Sequence, residues 1–297
     1  MIDFPIFWTE NYLNLHGGKV FILGVNNLGE SIKCRPSEIR QFNLTHYLTC
    51  IESEHGVAVP AKATFGGVFP AASEFVYRSL FRNLMQMGER LNVEIKLPPA
   101  YFRPDVFDLQ KEVIESMGEV TKICDVSYHI NVEEWNVNSL SKGNRKKIRQ
   151  CIEAEVIFKR DALVDLSNVY QLIFENRVSK GVVPSISFEQ LENAIQVFPN
   201  EYELFSLYKS NVLIASAVTL MLTSTVRYVY LWADHIDYRS LSPIAMLCEE
   251  LVKDSKSKNI KVLDLGTASL RGEIDEGLAR FKRNLGAIST QKISFVS

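Results

Sequence analysis

The chain has 297 residues, 46% of them hydrophobic and 23% charged, which is the composition of a globular protein with room for two domains. Its formal net charge of -2 excludes a surface that attracts polyanions all over, so any such binding must use a local basic patch. Five scattered cysteines without a CxxC pair read as reduced, buried thiols, and no apolar run, Val212 to Leu222 included, reaches the roughly 18 residues of a membrane helix.

The first residues, with Asp3 and Glu10, lack the shape of a signal peptide, so the cytoplasm is the expected compartment. Lys19 to Val25 predicts a strand, followed by an irregular stretch and a second strand from Val57 to Phe65 that ends in Gly66-Gly67. Phe75, Leu80, Leu84, Met87 and Leu91 recur near helical spacing and predict a helix from Ala71 to Leu91. A strand from Val93 to Leu97 closes at Pro98-Pro99, and Tyr101-Phe102-Arg103-Pro104 reads as a stiff aromatic and cationic loop. A helix from Val106 to Met117 and a strand from Val126 to Val132 complete a first α/β unit.

The polar run from Trp135 to Ser141 interrupts the periodicity and marks a junction, giving domains 1-135 and 136-297. The second domain opens on a helix whose start concentrates Lys142, Arg145, Lys146, Lys147 and Arg149, where a helix dipole does not favour cations. There follow a strand (Val156 to Lys159), two helices (Leu163 to Ser179, Phe188 to Val197) and three strands (Tyr202 to Tyr208, Val212 to Leu222, Val226 to Ala233). The order ends with a helix (Pro243 to Asp254), a strand from Val262 to Leu265, another helix and a last strand (Lys292 to Val296).

Val262-Leu263-Asp264-Leu265-Gly266-Thr267 reads as a buried strand opening into a turn, with Asp264 a polar site residue or a cap of that turn. Ile274, Leu278, Phe281 and Leu285 then share one helical stripe, which assigns Phe281 to the core face and Lys282 to its edge. A lysine there keeps its stem dry and its ammonium near a cleft. Five histidines without ligand spacing suggest no metal site; His235, just past a strand end, is a candidate general base.

The phrases Tyr228-Val229-Tyr230-Leu231-Trp232-Ala233-Asp234, Tyr238-Arg239-Ser240-Leu241-Ser242-Pro243, Leu263-Asp264-Leu265-Gly266 and Gly277-Leu278-Ala279-Arg280-Phe281-Lys282 resemble, in that order, motifs of FemABX-like proteins of the GNAT superfamily. Phe65-Gly66-Gly67-Val68, Lys96-Leu97-Pro98-Pro99-Ala100-Tyr101 and the basic run after Ser141 are similar to the same family. The resemblance implies an α/β fold with mixed sheets, built as two GNAT-like domains around a central cleft. It implies transfer of an acyl or aminoacyl group, from acyl-CoA or aminoacyl-tRNA, to an amine of a cell-envelope or glycan precursor.

Such transfer needs a neutral amine, a donor held in line and stabilisation of a developing oxyanion. The resemblance implies oxyanion donors at the end of the Val226 to Ala233 strand and added positive charge from Lys282 beside Phe281, with Asp264 nearby. It implies donor contacts from Tyr230, Trp232, Tyr238, Arg239 and Ser242. Acceptor or phosphate contacts would come from Arg78, Lys96, Tyr101 and Arg103 and from Lys142, Arg145 and Lys146, the last three suited to a tRNA or a nucleotide-linked substrate rather than DNA. One departure stands out. Ser242, Pro243 and Ile244 occupy the place of the glycine-rich turn that wraps a coenzyme A pyrophosphate, removing an N–H and adding bulk. That departure also suits an alternative of another class, a catalytically silent module that binds a phosphorylated glycan or nucleic acid.

Overall fold

A computed structural model describes residues 5–15, 19–61, 63–87, 92–102, 104–118 and 120–297. The chain forms two compact units, one made of the residues up to Ser127 with Ser269–Ile274 and Thr290–Ser297, the other of Tyr128–Ala268 and Asp275–Ser289. The division is not a single point in the chain, because the first unit takes back two later segments.

The first unit begins with a short helix α1 (Glu10–Asn14), then strands β1 (Val20–Asn26), β2 (Ser31–Cys34), β3 (Leu44–Ser53) and β4 (Gly56–Val59). The stretch expected to be irregular therefore holds two strands, which pair antiparallel with β1 on either side of it. Their polar content (Ser31, Lys33, Thr45, His46, Thr49) hides the alternation that would mark them. The second expected strand stops early, at Val59, because Pro60 has no N–H to continue a ladder.

Helix α2 (Glu74–Met87) buries Tyr77, Leu80, Phe81 and Leu84, spaced three and four apart. Phe75, assigned to that face from the sequence, is instead 76% exposed, and Leu91 lies outside the described residues. Strand β5 (Asn92–Lys96) and helix α3 (Pro104–Glu115) follow, and β6 (Thr121–Asn131) leads the chain into the second unit. The core of the first unit packs Leu48, Val57, Val59, Leu80, Phe81, Leu84, Val93 and Ile95 together.

In the second unit the chain forms α4 (Lys142–Glu153), β7 (Ile157–Asp161), α5 (Leu166–Val178), α6 (Phe188–Val197), β8 (Tyr202–Lys209), β9 (Val212–Met221) and β10 (Val226–Asp234). Helix α7 (Pro243–Ser257) then crosses to β11 (Val262–Thr267). A hairpin, β12 (Ser269–Leu270) with β13 (Glu273–Ile274), belongs to the first unit. Helix α8 (Glu276–Asn284) returns to the second, and β14 (Ile288–Val296) ends beside β5.

The strand order is β2-β1-β3-β4-β5-β14 in the first unit and, starting from the last residues of β6, β6-β11-β10-β9-β8-β7 in the second. Strands β7 to β10 are antiparallel neighbours, whereas β10 and β11 run parallel, joined by the α7 crossover. Arg227, fully buried on β10, donates to Glu203 of β8 at 2.5 Å and to Asp254 of α7 at 2.7 Å, fixing one end of this sheet to its helix. Four cysteines are buried, as expected, but Cys124 is half-buried. Among the described residues no helix is long and apolar enough to cross a membrane, and no group of three or more His, Cys, Asp or Glu could hold a metal ion.

Candidate active site

Strands β10 and β11 stay in register only from Val226↔Val262 to Tyr228↔Asp264. Beyond Tyr228 their pairing stops, while β10 continues to Asp234 against β9 with a register shift between Val229 and Leu231. Such a shift is a bulge, which leaves Tyr230 as the extra residue and re-aims its side chain. The parted strands open a cleft of about 710 Å³. Tyr228, Tyr230, Trp232 and Asp234 line it from β10, Leu265, Gly266 and Thr267 from β11, and Phe281 and Lys282 from α8. All of the lining belongs to the second unit.

Helix α8 is held at both ends. Asp275 caps its start by accepting the Leu278 N–H at 2.9 Å. At its other end the carbonyl of Asn284 takes the Ser141 N–H at 3.0 Å and Asn144 Nδ2 at 2.9 Å, and the carbonyl of Leu285 takes Trp135 Nε1 at 3.0 Å. The chain leaves the helix through Gly286 at φ +83, where a Cβ would fall 2.7 Å from Ser139 Cβ, so a glycine is required there. The polar junction segment is thus the bracket that orients α8.

The buried face of α8 differs from the stripe expected. Ile274 and Leu278 are exposed, Phe281 is half-buried in the cleft wall, and the inward positions are Ala279, Lys282 and Leu285. Lys282 is only 3% exposed, not an edge residue. Its Nζ donates to the carbonyls of Gly266 at 2.9 Å and Thr267 at 2.7 Å. Burial pushes its pKa down from 10.5 to about 8, although the carboxylates of Asp264 and Asp275 pull the other way. As an ammonium it has three N–H donors, two of them committed to those carbonyls.

Gly266 sits at φ +76, a conformation that suits glycine, and its bare backbone lies against the Tyr228 ring and the Lys282 ammonium. Asp264 fixes that turn from behind, its Oδ1 accepting the Gly266 N–H at 2.7 Å. Asp264 itself is buried and does not line the cleft. Burial, reinforced by Asp264, raises the pKa of the Tyr228 phenol, and burial alone raises that of Tyr230, so both remain neutral hydrogen-bonding groups. Trp232 and Phe281 meet edge to face with centroids 6.0 Å apart.

Of the sequence candidates, Tyr230, Trp232, Ser242, Phe281 and Lys282 come together around this cleft. Tyr238 and Arg239 do not line it: Tyr238 packs on His235, and Arg239 Nη2 donates to Ser179 Oγ at 3.1 Å while its Nε lies 3.6 Å from Asp234 Oδ1. The His235 imidazole accepts the Asp237 N–H at 3.3 Å, also outside the lining. Ser242, at the N-cap of α7, has φ +48 and makes no side-chain cap bond, and Pro243 takes the first turn of the helix.

On α4, Lys142 and Lys146 are exposed, Arg145 donates to Asn138 Oδ1 at 3.3 Å, and Lys147 donates to the Ser240 carbonyl at 2.6 Å. In the first unit, Arg78 is paired with Glu74 at 2.6 Å and Lys96 with Glu94 at 3.1 Å; Tyr101 is half-buried, and Arg103 lies outside the described residues. The sequence reading missed Asn176, Arg177 and Lys180, at the end of α5, and Asp234 and Asp275 as cleft residues. Nothing in their spacing separates them from ordinary helix-end and turn residues.

No family model and no curated protein matches the sequence. Solved structures do match the fold. FemX aligns with 98% of this chain and 90% of its own at a TM-score of 0.65 and 11% identity. L-PGS from Bacillus licheniformis aligns with 95% of this chain and 85% of its own at a TM-score of 0.57 and 10% identity. A GCN5-related N-acetyltransferase from Sphaerobacter thermophilus aligns with 97% of this chain and 84% of its own at a TM-score of 0.54 and 12% identity. The chain therefore has the fold shared by FemX and the GCN5-related N-acetyltransferases, a FemABX/GNAT-like fold with its parted-strand cleft in the second unit.

Proposed function

We propose that the protein is an N-acyltransferase that moves an acyl or aminoacyl group onto an amine in the cleft between β10 and β11. The observation that carries this reading is the buried Lys282, whose ammonium is held on the Gly266 and Thr267 carbonyls in the wall of the opening where the two strands part. A donor carbonyl seated there would meet the unpaired edge of β10 beyond Tyr228 on one side and a positive charge on the other. Both stabilise the oxyanion that develops as the amine attacks, and in a site shielded from water they do so strongly. The amine adds to the carbonyl carbon, the C–S or C–O bond to the donor breaks as the tetrahedral intermediate collapses, and the proton lost by the nitrogen passes to the departing thiolate or alkoxide, which leaves as a thiol or hydroxyl. No covalent enzyme intermediate is needed.

Aminoacyl-tRNA suits this chain better than acyl-CoA as the donor. Pro243 removes an N–H where a pyrophosphate would be wrapped, and Ser242 and Ile244 stand in the cleft wall in place of a glycine-rich turn. Lys142, Lys146 and Arg149 stand exposed on α4, where phosphates of a tRNA could neutralise them. In this reading the acceptor is a cell-envelope or glycan precursor carrying a free amine, and the work is done in the cytoplasm. Phe281 and Asp264 serve as positioning residues, the first through the cleft wall and the second through the Gly266 turn.

The test is a transfer assay with charged tRNA pools and, separately, acetyl-CoA, against amine-bearing cell-wall precursors. Transfer that is lost in a folded Lys282→Ala protein supports the proposal. Unchanged transfer in that variant removes the lysine from the chemistry, and saturable ligand binding with no transfer from either donor favours a silent binding module.

A further inference from the structure

Between the two elements that seat Lys282 the chain makes one small detour. Strand β11 ends at Thr267, whose carbonyl takes the Lys282 ammonium at 2.7 Å, and α8 starts behind its N-cap, Asp275. The hairpin β12–β13 fills the gap. Its base is closed by the Asp275 N–H, which donates to the Ala268 carbonyl at 2.9 Å. The closure of this hairpin therefore sets where the Thr267 carbonyl stands and where α8, the helix that carries Lys282, begins.

The hairpin has little of its own to hold it. Each strand is two residues long, paired Ser269↔Ile274 and Leu270↔Glu273, and Leu270, Glu273 and Ile274 are exposed. The turn has φ +52 at Arg271 and φ +85 at Gly272. Positive φ at both central residues is the pattern of a type I′ turn, which prefers Asn-Gly, and an arginine at its first place is strained by its Cβ. A lone pair of strands this short does not persist in water. Its fixing comes from β6. Asp125 Oδ1 accepts the Ser269 O–H at 2.7 Å and the Gly272 N–H at 3.0 Å, and Ser269 Oγ in turn accepts the Val126 N–H at 2.7 Å. One carboxylate oxygen thus joins the first residue of the hairpin to its turn, and all of these groups lie in the first unit.

We propose that Asp125 is a positioning residue for the cleft: by clasping the β12–β13 hairpin it keeps the Thr267 carbonyl and the start of α8 where they seat the Lys282 ammonium. The clasp needs an acceptor oxygen and not a charge. The carboxylates that act on Lys282 are those of Asp264 and Asp275, and Asp125 is not one of them. Without the clasp the hairpin opens at its base, water reaches the ammonium, and the burial that chiefly depresses its pKa is relieved. The effect on turnover rests on the transfer reading above; the seating of Lys282 does not.

The experiment titrates Lys282 in the full chain through the nuclear magnetic resonance signals of isotope-labelled lysine side chains, its own signal being the one lost in Lys282→Met. In the unmodified protein the midpoint falls at about 8. Asp125→Ala should raise it by about 1 pH unit or more toward the ordinary 10.5, whereas Asp125→Asn, which keeps the acceptor oxygen and drops the charge, should leave it in place. Ser269→Ala, which removes one of the two clasped groups, should move it the same way by less. In a transfer assay Asp125→Ala should lose about tenfold or more in kcat with the donor KM changed by less than about twofold, and Asp125→Asn should regain most of that loss. An alanine variant that titrates like the unmodified protein, or an asparagine variant that shifts as far as the alanine one, overturns the proposal. If no protein transfers, the unmodified one included, the transfer reading falls and the titration alone decides the role of Asp125. Should circular dichroism show Asp125→Ala unfolded, Ser269→Ala against Asp125→Asn makes the same comparison.

Discussion

Asn176 Nδ2 donates to both the backbone carbonyl and the carboxylate of Asp234, at 2.7 and 2.8 Å, so one buried amide fastens the last residue of β10 to α5. Asn176→Ala leaves both acceptors without that donor. Its expected cost is about 1–3 kcal/mol, read as a lower urea midpoint with an unchanged slope. Asn176→Asp sets two carboxylates against each other and costs more, and a midpoint equal to that of the unmodified protein would refute the fastening.

Lys282 gives a pH dependence whose sign can be worked out. Its folded pKa, about 8, lies below the ordinary 10.5, so between those values the unfolded chain binds the extra proton. Stability therefore rises with pH from about 8 to 10.5, by at most about 3 kcal/mol from this group. Below pH 8 the full cost of burying the charge is present. Denaturation midpoints of the protein and of Lys282→Met, compared from pH 7 to 10, should converge or cross as that cost is relieved.

The same titration governs turnover. The ammonium is the form that offers a third N–H to an oxyanion, so transfer should fall as pH rises through about 8. Lys282→Arg, which stays charged, should lose this limb of the profile even though its geometry lowers the maximum rate. A profile that instead climbs through pH 8 would make the neutral amine the working form and Lys282 a base.

Gly266 can be tested in two steps. A Cβ there meets the Tyr228 ring at 3.6 Å and Lys282 Nζ at 3.9 Å, ordinary contacts, so Gly266→Ala should fold. The positive φ should still cost it about 1–2 kcal/mol. Gly266→Val adds bulk directly in front of the ammonium, and transfer should fall by a much larger factor than the stability change explains. Equal activity of the valine variant would place the reaction elsewhere.

Arg227 is the expected weak point of the second unit. It is fully buried and joined to Glu203, Asp254 and Ser255, while Arg160 and Lys258 also contact Glu203. Arg227→Ala removes the buried cation between two carboxylates, leaving Glu203 and Asp254 only the partly exposed Lys258 and, for Glu203, Arg160, and should destabilise by about 3–5 kcal/mol. Arg227→Met with Glu203→Gln should recover part of that loss, because the unpaired charge goes with the partner.

The sequence was most readable where burial is continuous. Strands β8 to β10 and helix α6 follow their apolar runs to within a residue or two, since both faces of those strands are covered. It was least readable where a polar group takes an inward place. Lys282 occupies a core position on α8, so an apolar-stripe reading gave that position to Phe281 and turned the helix by about one residue's angle. Strand β3 hid behind Thr45, His46 and Thr49, and the short hairpin β12–β13 left no periodicity at all. Arg177 and Lys180 looked like the cations that commonly end a helix, and only the fold sets them in the wall of the cleft.

The return of Ser269–Ile274 and Thr290–Ser297 to the first unit bears on how this protein can be taken apart. No one proteolytic nick releases either unit intact, because the polypeptide passes from one to the other several times. A fragment ending near residue 135 would lack β14, and with it Ile293 and Phe295 from its own core, leaving β5 as a raw edge open to aggregation. Recombinant halves should therefore be insoluble alone and recover native behaviour only when co-expressed, a pattern that independently folding modules strung on a linker would not produce.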